Sequence, residues 1–464
     1  MNREIIVQKL QDYKEDIKKD LAQLVEINSE RDLTTKRSNA PFGIGIRKCF
    51  DKMIEFAERE GFEVKDFDGY AIHIDYGDGP ETLAILGHVD TVGIYNIEKW
   101  HSDPFSLLEH NGFWYGRGVN DNKGPILGCL YLLKILKELN VKPSKRIRLI
   151  IGGAEETTWE CMEHYFKYNE MPIYGFSPDG DFPIVNCEKG ISYYKYCGKR
   201  APTNDGIINI NTIKSNKDII RVCSRAEIYI TTKSPEKLVK LLPINENRKA
   251  YIEKNRLQII YEGVSAVGRN PHKGQNALFT FVKEFEGISG LDSRSRDLIE
   301  FLSFYFVDSI YGEKLGIHHE DKETGGTTSN LSYVILDDRG YTVSFDYRYP
   351  NGVDYGKIVK KLQCIANEKK LVLVTIKEMP LLYVSPESEL VRALKKAYKS
   401  IIGEETRLFS KGAASYARAL KQGVAFGPTF STDKANSHKA NECLNIENFM
   451  KALLIYAEAI KLLS

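Results

Sequence analysis

The chain reads as an α/β protein of two domains: a mixed-sheet domain assembled from both ends of the chain, and an α+β domain inserted between them. Three observations carry that expectation. Strand-like and helix-like segments alternate up to about residue 187, the pattern of a sheet covered on both faces. After CEKG, residues 187–190, strand-like runs such as RVCSRAEIYITT and YTVSFDYRYP alternate instead with helical segments at 235–242, 275–286 and 294–306. The chain then returns to a helix at 387–399 and two motif-bearing turns. The expected boundaries are 1–187 with 385–464 for the first domain and 188–384 for the insertion. At 464 residues and 42% hydrophobic content, the chain is too long for a single core.

The first segment, MNREIIVQKLQDYKEDIKKDLAQLVEI, sets Ile, Leu and Tyr at three- and four-residue steps among charges, which predicts an amphipathic helix. A secretory leader has an uninterrupted apolar stretch, so a cytoplasmic protein is expected. No apolar run reaches the roughly 18 residues of a membrane span. Lys plus Arg is 65 and Asp plus Glu is 63, which leaves no charge excess for nucleic acid or an anionic membrane. Eight cysteines without CxxC pairing read as reduced, mostly buried thiols. The aromatic residues, 11% of the chain, are spread over both domains and read as core rather than as a stacking surface for bases.

Chemistry gathers at the strand ends. AILGHVDT, residues 84–91, is an apolar strand that stops on His88, with Asp90 two positions on. Side chains at i and i+2 share a face, so the imidazole can bind a metal while the carboxylate fixes it from behind; a structural hydrogen-bonded pair has the same pattern. YGRGVNDNKGP, residues 115–125, carries Asp121 to the start of the helical run ILGCLYLLKIL, as an N-cap or as a carboxylate bridging two cations. RIRLIIGGAEETTW runs a buried strand into Glu155 and Glu156. Adjacent carboxylates there repel unless a cation compensates, although paired glutamates also open solvated helices. GFSPDGDFPIVNCEKG puts Asp179 after another short strand, and SHKANE offers His438. Two histidines and three carboxylates, with Asp90 and Glu155 beside them, suit two zinc-like ions bridged by one carboxylate and one water. The Gly-rich SKGAASYARAL could cradle a phosphate but lacks the Lys-Ser ending of a P-loop.

With these motifs in this order, the chain resembles the dinuclear zinc peptidases, the family of aminoacylases, glutamate-type carboxypeptidases, succinyl-diaminopimelate desuccinylase and carnosinases. Within that family it is most similar to the bacterial PepV-type dipeptidases. The resemblance spans nearly the whole chain, from APFG at 40–43 through WHSDPF at 100–105, GTTSNLS at 326–332, DYRYP at 346–350 and SYARAL at 415–420 to SHKANE. It implies a zinc peptidase catalytic domain with an inserted lid, and two divalent ions, Zn2+ first with Mn2+ or Co2+ as alternatives. His88, Asp121 and Asp179 would hold one ion; Asp121, Glu156 and His438 would hold the other. Glu155 would be the general base, Asp90 would orient His88, and the peptide bond from Asp121 to Asn122 would be cis. Arg348 and Gly412 would bind the substrate's carboxylate end. The implied reaction is hydrolysis of the amide bond of a short peptide with a free carboxylate. The implied assembly is a monomer, because a lid near two hundred residues can hold two of the units that dimeric relatives carry singly.

The lid departs from the family pattern. Its Ser-Ala-His segment reads GVSAVGRNPHKGQNA, with Val267 where the resemblance implies a histidine on the substrate's carbonyl oxygen, and Ile220 stands where an asparagine would contact the substrate. His272, or His318 and His319, could substitute. The pocket could have shifted to another N-acyl amino acid, or the chain could be a catalytically impaired metal- or peptide-binding relative. A retained free base, Glu155 beside Asp90, favours hydrolysis.

Overall fold

The computed structural model describes residues 2–199 and 205–464. The chain divides into two compact units, Met1–Cys187 with Leu382–Ser464, and Glu188–Leu381. The second crossing falls at Leu382, not after residue 384. Leu382–Tyr383 is a strand of the first unit's sheet, and the Val384 N–H donates to the Asn186 carbonyl at 2.9 Å.

The first unit is built on a nine-stranded mixed sheet. From one edge its order is Val64–Phe67, Ala71–Tyr76, Arg146–Gly152, Thr82–His88, Tyr174–Ser177, Gly423–Ala425, Ile184–Glu188 and Leu382–Tyr383, with Leu408–Lys411 also paired to Ile184–Glu188. The neighbours Arg146–Gly152, Thr82–His88 and Tyr174–Ser177 are mutually parallel and buried along almost their whole length. Both faces of a parallel sheet are covered, which is why these strands read as continuous apolar runs rather than alternating ones. A parallel pair needs a crossover, and the helix Lys123–Glu138 provides it between Thr82–His88 and Arg146–Gly152. That helix is buried on nearly every side and packs against the C-terminal helix Ile446–Leu463. They meet at Gly128, where an added Cβ would lie 2.6 Å from Leu453 Cδ2 and 2.8 Å from Phe449 Cζ. The N-terminal amphipathic segment forms two helices, Arg3–Asp12 and Lys14–Val25, that meet at Tyr13, whose hydroxyl bonds Glu138. No helix among the described residues is long and apolar enough to cross a membrane. Six of the eight cysteines are buried.

The second unit is an eight-stranded antiparallel sheet in the order Arg248–Glu253, Arg256–Glu262, Arg225–Thr232, Ile208–Ser215, Thr328–Asp337, Gly340–Tyr349, Gly190–Lys199 and Val372–Met379. Helices Pro235–Leu241, Ala277–Phe285, Ser293–Tyr305 and Tyr355–Glu368 accompany it, and Phe281, Phe301 and Phe345 belong to its own apolar core. Strand Arg225–Thr232 starts later than RVCSRAEIYITT suggests. Arg221 and Val222 pair instead with the following loop, the Val222 N–H donating to the Ala266 carbonyl at 2.8 Å.

Candidate metal centre

Three parallel neighbours end on the same side of the sheet, so the loops leaving their C-terminal ends bring together His88, then Glu155 and Glu156, then Asp179. Ligand sites of open α/β sheets form at this position. Asp121 arrives from the turn before helix Lys123–Glu138, and His438 from the segment before strand Cys443–Asn445. Asp121 divides its carboxylate between the histidines: Oδ1 lies 3.2 Å from His88 Nε2, and Oδ2 lies 3.0 Å from His438 Nε2. Asp179 Oδ2 is 3.6 Å from His88 Nε2, and Glu156 Oε1 is 2.8 Å from His438 Nε2. Two groups of possible ligands result, His88 with Glu155 and Asp179, and Asp121 with Glu156 and His438. Glu155 is therefore within ligand reach beside His88. Among the described residues His88 Nε2 is buried without a hydrogen-bond partner, an orphan that fits a nitrogen offered to a cation.

Asp90 organises this edge from behind. Its Oδ1 and Oδ2 accept the backbone N–H groups of Glu155 and Glu156 at 3.1 and 3.0 Å, while its carbonyl oxygen lies 2.9 Å from His88 Nδ1. Occupying Nδ1 leaves Nε2 with the free lone pair. The Asn122 side chain accepts the His88 N–H at 3.3 Å and donates to the Pro178 carbonyl at 2.6 Å, tying together the loops of His88, Asp121 and Asp179. The Asp121–Asn122 peptide bond is cis, and His438 sits in the left-handed region at φ 63°. The Tyr416 ring stands edge-on to His88, with centroids 5.7 Å apart.

Crowded acids dominate the electrostatics. Burial lifts the Glu155 carboxyl well above the ordinary range; His88 opposes this, while Asp179, Glu156 and Asp121 add to it. Burial and then the charge of Asp121 push Glu156 up to about 7, and the same two causes raise Asp179. Burial also works against Asp121, but His438 and His88 hold it far below the carboxylate range. His438 rises to about 11 through its bonds to Asp121 and Glu156. Burial disfavours a charged His88, yet Asp121, Asp179 and Asp90 raise it above its ordinary value. Carboxylates pushed towards their neutral forms mark a surplus of negative potential, which divalent cations would neutralise.

Glu442 belongs to this centre and escaped the sequence reading. It is fully buried and accepts bonds from Arg117 and from the loop that ends on Asp121. Its signal was an acidic residue four positions after His438, within SHKANE. Gly412 follows strand Leu408–Lys411, whose Lys411 ion-pairs with Asp181 in the two-residue strand Gly180–Asp181 that follows Asp179. Arg348 lies in the second unit. It is buried there, with Nε 3.0 Å from Asp346 Oδ1, Nη2 2.9 Å from Asp346 Oδ2, and Nη2 3.3 Å from the Tyr193 hydroxyl. In the same unit Val267 pairs with Arg221, Ile220 is exposed, His272 is exposed in the 3-10 turn Pro271–Lys273, and His318 is an exposed loop residue.

The model of peptidase family M20/M25/M40 matches residues 84–462, and the chain belongs to that family. It is a metallopeptidase, with the mixed α/β fold of that family. A Bacillus subtilis (strain 168) relative with the provisional name dipeptidase YtjP is 34% identical over 457 residues, covering 96% of this chain and 97% of that protein. Human carnosine dipeptidase 1 superposes with a TM-score of 0.59 at 14% identity, over 99% of this chain and 98% of that one. The di-peptidase Dug1p from Saccharomyces cerevisiae gives 0.60 at 14% identity over the same shares. At such identities the two structures speak for the fold alone.

Proposed function

We propose that the chain is a dipeptidase that uses two divalent cations, Zn2+ or another first-row ion, to hydrolyse the amide bond of short peptides with a free carboxylate. The observation that carries this reading is the divided carboxylate of Asp121, whose oxygens face His88 and His438 at 3.2 and 3.0 Å. His88 and Asp179 would complete one cation position, and Glu156 and His438 the other. When bound, the cations would acidify the attacking water and polarise the scissile carbonyl. Glu155 takes the proton from that water and delivers it to the leaving amine. Asp90 fixes the imidazole of His88 and, through its two N–H acceptances, the turn that aims Glu155. Gly412, in the first unit, is the group we assign to the substrate's carboxylate. Dipeptide cleavage is supported by the names of the relatives. A cytoplasmic monomer is our reading of the balanced charge, the eight cysteines without CxxC pairing and the long inserted unit.

Glu155→Ala should lower dipeptide turnover by about a hundred- to ten-thousandfold with metal content nearly unchanged, whereas His88→Ala should lose metal. Metal analysis beside steady-state rates on a dipeptide panel tests both. Equal metal loss in the two variants would mean that Glu155 is a ligand and the division of roles is wrong.

A further inference from the structure

Glu442 has no place in that chemistry, yet both of its oxygens are saturated. Oε1 accepts the N–H groups of Asn120 and Asp121, each at 3.0 Å; Oε2 accepts Arg117 Nη1 at 2.7 Å and the Gly118 N–H at 3.1 Å. Its carbonyl oxygen also accepts the Gly116 N–H at 3.2 Å. These partners run along the loop that ends on Asp121. Gly118 takes φ +86° in it, a conformation that leaves the backbone N–H groups converging on one centre. Converging N–H dipoles form a cradle for an anion and repel one another without one. The anion here comes from the segment that also carries His438, four residues earlier. One short stretch of chain therefore presents His438 to Asp121 and grips the loop that holds Asp121.

We propose that Glu442 is a positioning residue for both candidate cation positions, setting the separation of Asp121 from His438 and the orientation of the Asp121 carboxylate. The inference rests on the two-cation reading above. Ligand distances at such centres tolerate only about 0.2 Å, so slack in the 116–121 loop would reach both positions at once.

The test uses the full-length protein, stripped with a chelator and titrated with Co2+. It follows stoichiometry by calorimetry and site geometry by the visible absorption of the ion, with kcat and KM measured on a dipeptide. Glu442→Gln turns an NH2 group towards two donors and loses half of the grip. Glu442→Asp keeps the charge opposite Arg117 but is one methylene too short to hold the loop. Both should bind Co2+ about ten- to a hundredfold more weakly than the wild type, with a shifted absorption band. Their kcat should fall about tenfold while KM stays within about threefold. Near-UV circular dichroism of the metal-free forms reads folding separately, and if the Gln variant does not fold, the Asp variant alone carries both outcomes. A folded Gln variant with wild-type Co2+ affinity overturns the inference, as does full rescue by Asp, which would show a charge needed only by Arg117. A wild type that binds fewer than two Co2+ overturns the two-cation reading and this inference with it. Two Co2+ in the wild type with unaffected variants overturns the role of Glu442 alone.

Discussion

Asp90 shows how a residue can be legible in kind and hidden in detail. The His-x-Asp spacing places both side chains on one face, but the contact with His88 Nδ1 at 2.9 Å comes from the Asp90 carbonyl, with Oδ1 at 3.4 Å. The carboxylate is taken up by the N–H groups of Glu155 and Glu156, which lie far away in sequence. A second histidine, His73, makes a separate prediction. Its ring is buried on strand Ala71–Tyr76, with Nδ1 2.7 Å from the Tyr165 hydroxyl and Nε2 3.8 Å from Asp75. Burial, then Arg148, with Lys65 and Arg146 behind it, outweighs Asp75 and lowers its pKa to about 4. The folded state therefore refuses a proton that the unfolded chain accepts at about 6.5. Stability should be full above pH 6.5 and decline as the pH falls towards 4, by at most about 3 kcal/mol from this residue. His73→Gln should flatten that part of the acid branch in urea unfolding measured across this range; an unchanged slope would show that His73 titrates normally in the fold.

At the scale of elements, the helix Lys123–Glu138 links core to site. Its N-terminal turn carries Asp121 and Asn122, and its body is gripped by helix Ile446–Leu463. Buried Lys123 donates to the carbonyls of Leu24 and Ile27 at 2.9 and 2.8 Å, anchoring the same end to helix Lys14–Val25 and the chain just after it. The apolar run ILGCLYLLKIL announced a buried helix, but nothing local said that Gly128 packs directly against Leu453 and Phe449. Gly128→Leu would raise helix propensity and still should destabilise the protein by about 1–3 kcal/mol, because Leu453 and Phe449 must move. Thermal and urea unfolding of this variant check the sign; a gain in stability would mean that the helix contact is loose.

At the scale of the whole molecule, the two units have separate apolar cores. The second is one continuous stretch with all eight strands of its sheet, whereas the first needs both ends of the chain. Residues 188–381 expressed alone should therefore fold cooperatively, with tyrosine signals in near-UV circular dichroism and a single unfolding transition. A molten or unfolded product would show that this core depends on the first unit.

The strands, the crossover helix and the motif at each strand end were legible because their signals are local: apolar runs, helical spacing, and polar residues where a run stops. Those signals and a family resemblance supplied His88, Asp121, Glu156, Asp179 and His438 as expected ligands; Glu155, expected as a base, stands within ligand reach of His88 and Asp179. Which of them meet was decided by strand order. His88, Glu155 with Glu156, and Asp179 converge because Arg146–Gly152, Thr82–His88 and Tyr174–Ser177 are parallel neighbours, a register no single segment encodes. Glu442 was invisible for the same reason. Its bond to the Asp121 N–H joins positions 321 residues apart, and a buried acid is stable there only once the loop's N–H groups surround it.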